Sequence, residues 1–253
     1  MVAVSVLVPR LAAADSILFT GTGTGANSVT INASALFNIS GTTLTIKLSN
    51  LGDTSGGSQD VPGNALTGLL FDLPNGFTLS PVSATIVPGS LRQGNFCDVG
   101  PCTSSTTNVG GEFRYATSNS LPGGADRSIS SAGYNGGAPN FIGPNLDNPI
   151  SVDGVNFGII APVGFSNPFI PNGGMLEPEI EGNVQFTMTI AGTRQLTAAD
   201  FANVSFQYGT SLSEARIPGQ PGGPGPVPEP TTALLTLSGA AVAVRRSILR
   251  RRA

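Results

Sequence analysis

The sequence predicts an all-β fold: an antiparallel β-sandwich or jelly-roll-like body followed by a C-terminal hydrophobic helix. Three observations carry this. From Ser16 onward apolar residues repeat with a period of two more often than 3.6, the spacing of a strand with one buried face. Gly (34 residues), Pro (20) and abundant Ser, Thr and Asn break the chain into short segments, as turns require. An uncharged run near the end, residues 231–244, follows a Pro-rich spacer and precedes a cluster of arginines.

The clearest strand covers 43–49, where Leu44, Ile46 and Leu48 point one way and Thr45 and Lys47 the other. Val184, Phe186, Met188 and Ile190 repeat the pattern with Gln185, Thr187 and Thr189 facing water, and Val204, Phe206 and Tyr208 repeat it again. Further strands are expected over 17–20, 28–32, 35–39, 66–73, 83–87, 112–117 and 155–160, each bounded by turn-forming residues. Short strands in such number, with no sustained helical pattern, point to a sandwich or jelly roll. One helical turn is expected over 198–201, with Thr197 as its N-cap. The stretch 121–149, rich in Gly, Pro, Ser and Asn, reads as long loops, which on a rigid sandwich serve as a binding surface or as connectors.

Charge narrows the function. The formal net charge is -3, but five of the twelve basic residues lie in the last nine positions. Between residues 15 and 226 only six basic residues stand against fourteen acidic ones, near -8. Such a body is ill suited to nucleic acid, whose binding rests on Lys and Arg neutralising phosphates. There is no histidine, which removes Ser-His-Asp and Cys-His catalysis, imidazole metal sites and the commonest general base together. A Ser-Lys pair would need Lys47, the sole lysine, which the strand period places in solvent.

The acidic candidates are Glu177, Glu179 and Glu181, whose alternate spacing suits a Ca²⁺ site or a glycosidase pair. Counting back from Val184, however, odd positions face water, and Pro178 and Gly182 mark an exposed edge or turn, so a solvated strand is the simpler expectation and no metal site is assigned. Asp53 and Asp60 flank a polar loop without the spacing of a known Ca²⁺ loop. Gly21, Gly23 and Gly25 alternate with Thr and are followed by a strand rather than a helix, with no P-loop lysine, so they are not read as a phosphate loop. Asn32, Asn38 and Asn203 each open an Asn-x-Ser sequon, a frequent chance match in a Ser-rich chain. Tyr115, Tyr134 and Phe141 are the candidate aromatics for stacking on sugars, in a chain without Trp.

The termini speak of export. Residues 1–8 are mostly apolar, and Ala12, Ala13 and Ala14 before Asp15 are the small residues a signal peptidase accepts. No positive side chain precedes the apolar part and Pro9-Arg10 interrupts it, so 1–14 is read as the remnant of a secretory signal peptide whose true start lies upstream. In an exported chain Cys97 and Cys102, enclosing Asp98-Val99-Gly100-Pro101, read as a local disulfide pinning a loop, with a metal or redox pair as the alternatives. A ring so small stabilises by no more than ~2–3 kcal/mol.

At the other end, the spacer 218–230 holds six prolines and finishes on Val227-Pro228-Glu229-Pro230. The fourteen uncharged residues after it reach roughly 21 Å as a helix, short of the ~30 Å hydrocarbon core of a bilayer. Ala233, Gly239, Ala240, Ala241 and Ala243 add little apolar area, so the run is a temporary rather than a permanent anchor. Arg245, Arg246, Arg250, Arg251 and Arg252 favour the cytoplasmic side, leaving the body outside the inner membrane.

Val-Pro-Glu-Pro-Thr at 227–231, the apolar run and the Arg-rich end together resemble the PEP-CTERM sorting signal of Gram-negative bacteria, read by the membrane protease-transpeptidases called exosortases. The resemblance implies export, recognition at Pro228-Glu229-Pro230, removal of the sorting helix and basic tail, and delivery to the cell surface or extracellular matrix. In the body, the runs 40–46, 66–72 and 203–210 are similar to segments of uncharacterised exosortase-dependent surface proteins, which lend no catalytic residues. The expected organisation is therefore a signal remnant (1–14), a β-sandwich body (15–217), a linker with the Pro-Glu-Pro motif (218–230) and a sorting helix with its tail (231–253). The expected function is non-catalytic and without cofactor, at the surface or in a biofilm matrix. The expected partners are an exosortase, the inner membrane transiently and exopolysaccharide, for which a carbohydrate-binding module is the alternative reading.

Overall fold

The computed structural model describes residues 15–52, 61–93, 107–118, 121–132, 134–135, 138–139, 146, 157–162, 169–172 and 175–224. The predicted disulfide, the Asp53 and Asp60 loop, Phe141, the signal remnant, the Pro-Glu-Pro motif, the sorting helix and the arginine tail lie outside them.

The described chain is all-β. In order it forms β1 (Asp15–Thr24), β2 (Thr30–Ser40), β3 (Thr43–Asn50), β4 (Leu66–Asp72), β5 (Phe77–Ile86), β6 (Leu91–Gln93), β7 (Arg114–Thr117) and β8 (Arg127–Ser130). There follow β9 (Tyr134–Asn135), β10 (Ala138–Pro139), β11 (Ile159–Ile160), β12 (Phe169–Asn172), β13 (Met175–Glu181), β14 (Asn183–Gly192), β15 (Ala202–Tyr208), β16 (Arg216–Pro218) and β17 (Gln220–Pro224). One sheet runs β17-β1-β2-β3-β14-β5 and is antiparallel throughout. A second, larger sheet runs β12-β13-β11-β4-β15-β16, with β6 on β13, β8 on β4 and β7 on β8, and β9 and β10 pair as a separate two-stranded ribbon. Among the described residues the helical elements are short 3-10 turns; that at Ala198–Asp200 fulfils the expected turn, with Asp200 accepting from the Thr197 backbone N–H at 2.8 Å.

Alternation explains the first sheet. In β2 Ile31, Ala33, Ala35, Phe37 and Ile39 are buried while the residues between them are half-buried. The sequence suggested two strands here, over 28–32 and 35–39; with neighbours on both sides the segment stays paired as one. Gly41 turns β2 into β3 at φ 59°, where a side chain would be strained. Leu44, Ile46 and Leu48 then lie beside Met188, Phe186 and Val184, as the period predicted.

The two sheets share one buried cluster, an arrangement consistent with a β-sandwich. Its centre is aromatic: the Phe37 ring on β2 lies 5.5 Å from Phe71 on β4 and 4.4 Å from Phe201. A second contact joins Phe113 to Phe186 on β14 at 5.0 Å. Such pairs contribute ~0.5–1.5 kcal/mol each beyond the area they bury. Strand β4 reads as a continuous apolar run because both its faces are covered. Leu69 and Phe71 face the common core, while Leu70 packs on the far side with Ala116, Leu121 and Ala125.

Three expectations need correction. The second sheet is mixed rather than antiparallel, because β11 and β13 run parallel, with Ile159 beside Ile180. Such a pair needs a long connection, and fourteen residues, 161–174, lie between the two strands in the sequence. The body does not end at 217: Gln220–Pro224 pairs along β1, with Ile17 opposite Pro224, so the first half of the Pro-rich spacer is an edge strand. Proline is admissible there because an edge residue need not donate to a neighbour. Glu179 is fully buried rather than in solvent. The period cannot be carried back from Val184, because Gly182, at φ 118°, separates β13 in one sheet from β14 in the other.

Candidate functional site

A concavity with polar lining lies where the edges of the two sheets part. Strand β5 contributes Phe77, Thr78 and Leu79, β7 contributes Tyr115 and Thr117, and β8 contributes Arg127 to a cleft of about 430 Å³. Register explains the convergence. Tyr115 belongs to the common core and Ala116 to the far-side cluster, so Thr117 returns to the core side. Arg127 pairs with Thr117 and therefore shares that side, as Ile129 does.

The arginine is held firmly. Its Nη1 donates to the Asp126 backbone oxygen at 3.0 Å and lies 3.2 Å from Asp126 Oδ2, while Nη2 donates to the Phe77 backbone oxygen at 3.4 Å. Asp126 is anchored in turn, its Oδ1 accepting from Leu73 N–H at 3.2 Å and its own N–H donating to Asp72 Oδ1 at 2.8 Å. Arg194 lies over the Phe77 ring, 4.9 Å from the centroid, and pairs with Asp200. Tyr115 Oη and Arg127 Nε are shut from the surface and make no well-aligned hydrogen bond among the described residues, although the Arg127 side chain lies close enough to act on the phenol as a donor. Burial pushes the Tyr115 phenol up to about 12, opposed by the nearby Arg127 cation and assisted by Asp126. At neutral pH the site thus offers a neutral phenol and a fixed guanidinium, groups that hydrogen-bond oxygen atoms.

The sequence candidates distribute differently. Tyr115 is at the cleft but only 3% exposed, so it cannot serve as the open stacking platform expected of it. For Tyr134 only the strand is described. Lys47 lies exposed on β3 as expected. Glu179 and Glu181 are not brought to the cleft, and no group of three His, Cys, Asp or Glu suited to a metal occurs among the described residues. Asn32 accepts from Thr22 Oγ1 at 2.8 Å and donates to the Gly52 oxygen at 2.6 Å, which gives this sequon asparagine a structural task. Asn203 donates to the Gly123 oxygen at 3.2 Å, and Asn38 is half-buried on β2.

Gly21 and Gly23 prove to be packing positions: a Cβ at Gly21 would stand 2.8 Å from Phe206 Cδ2, and one at Gly23 would stand 2.2 Å from Ile217 Cγ2. Sequence reasoning missed Arg127, Asp126 and Phe77. The available signal was the rarity of basic residues in the body, which makes an arginine beside the alternating Ser128-Ile129-Ser130 unusual. The chain matches no known family model, no curated protein and no solved structure.

Proposed function

We propose that the chain is an exported, exosortase-processed protein of the bacterial cell surface or extracellular matrix, acting without catalysis and in contact with exopolysaccharide. The motif order at 227–253 motivates the reading, and one geometric observation supports it. Ile17 and Pro224 are paired, so the residue after the predicted leader, Asp15, and the approach to Val227 leave the body at the same corner. Two residues separate Pro224 from Val227, three Cα–Cα steps and at most ~10 Å of extended chain. A body that exposes both ends at one corner can keep its leader and its C-terminal apolar run in the same membrane without unfolding. The finer architecture this reading adopts is a β-sandwich that folds before either cut.

The test is to express the full chain in a bacterium with an exosortase and in a strain lacking it, and to measure the ends of the mature protein by mass spectrometry. The expected product starts at Asp15, has lost residues 231–253 and fractionates with the envelope or matrix only when the exosortase is present. An intact chain in the cytoplasm, with its arginine tail, refutes the reading.

A further inference from the structure

We propose that the cleft between β5 and β7 is a binding site for a neutral saccharide, gripped through its hydroxyl groups by Tyr115 and Arg127. The volume of about 430 Å³ falls within the roughly 300–1,000 Å³ of small-molecule sites. Its chemistry selects the ligand class. Tyr115 Oη can donate and accept and Arg127 Nε can donate, and apart from their contact with each other neither has a well-aligned partner, where a buried polar group left unsatisfied costs about 1–3 kcal/mol. A polyhydroxylated ligand supplies donors and acceptors to both. The exposed Thr78 and Thr117 hydroxyls at the mouth extend the same recognition.

Charge argues against an anion. Arg127 is already matched by Asp126, Arg194 by Asp200, and Asp72 adds a further carboxylate behind Asp126. The neighbourhood therefore carries no spare positive charge, within a body near -8. The polar floor equally disfavours a purely apolar ligand. Because Oη and Nε lie below the surface, a ligand reaches them only when the side chains over them shift, and the exposed Thr78 and Thr117 line the way in.

This deepens the matrix reading and rests on it for the source of the sugar, but it is tested apart from processing. Binding of cellobiose, maltose and lactose to the purified full chain is measured by calorimetry or NMR, with digalacturonate as the anionic comparison. The expected result is saturable binding of at least one neutral disaccharide, with digalacturonate weaker. Affinity falls at least tenfold in Tyr115→Phe, which deletes one hydroxyl, and in Thr117→Met, which fills the mouth from an exposed position. Melting temperatures should not fall in either variant. The proposal is overturned if no disaccharide binds up to about 10 mM, if both variants bind like the parent, or if digalacturonate or a Ser/Thr-rich peptide binds better than every neutral sugar.

Discussion

Replacing Gly23 by Ala should destabilise the protein through one collision. The new Cβ would stand 2.2 Å from Ile217 Cγ2, whereas ordinary contact is 3.4–4 Å, so one group must move by more than an ångström. Ile217 is 4% exposed on β16, beside Phe206, and has little room to yield. Overpacking of this kind costs about 1–3 kcal/mol, and the stiffer unfolded chain returns about 0.4–1 kcal/mol, leaving a net loss of roughly 1–2 kcal/mol. Urea unfolding of the full chain measures it, and at ~2–4 °C per kcal/mol a thermal melt should fall by several degrees. The decisive comparison is the background Ile217→Ala, itself costing about 2–5 kcal/mol. With the methyl gone, the Gly23→Ala penalty should vanish, giving a coupling of at least about 1 kcal/mol. Gly41→Ala serves as a control: nothing lies within 4 Å of its Cβ, so any cost there comes from φ 59° alone and is untouched by Ile217→Ala. If the Gly23 penalty persists unchanged without Ile217, close approach of the two sheets is not its cause.

Tyr208→Phe should raise stability by about 1 kcal/mol in the same assay, because the hydroxyl of this fully buried residue has no hydrogen-bond partner. Asn50→Ala should lower it by about 3 kcal/mol, since the buried amide donates to the Asn64 oxygen at 3.1 Å and the Ile159 oxygen at 2.9 Å and accepts from Gly52 N–H. Asp200 is held below the usual carboxylate range by Arg194, so its contribution is present above an unfolded value of about 3.9 and fades as pH falls; melting curves of Asp200→Asn and parent should differ at pH 7 and converge toward pH 2. Tyr115 is raised, so its contribution is present below about pH 10 and fades as pH climbs through about 12. Ultraviolet titration of the folded chain should show a late phenolate step near pH 12 that Tyr115→Phe removes.

Much of the fold is legible locally. Strands β3 and β14 follow from alternating side chains, because burying one face of a pleated strand leaves a period of two in any sequence that does it; β15 alternates in sequence too, although Ser205 and Gln207 on its other face are also buried. The candidate site was legible only in Tyr115. Its partners come from elsewhere in the chain: Phe77 precedes Pro81, which disguised the first half of β5, and Arg127 lies in a Gly-rich stretch that resembled a loop.

The sequence by itself determined the all-β class, the acidic, histidine-free character and the terminal motifs that motivate the proposed route. These are properties of composition or of contiguous residues. Tertiary structure decided the burial of Glu179, the pairing of the spacer with β1 and the meeting of Tyr115 with Arg127. Each depends on which strands lie together and on where a glycine such as Gly182 resets the facing of the chain, and a period read along one segment carries no information across such a break.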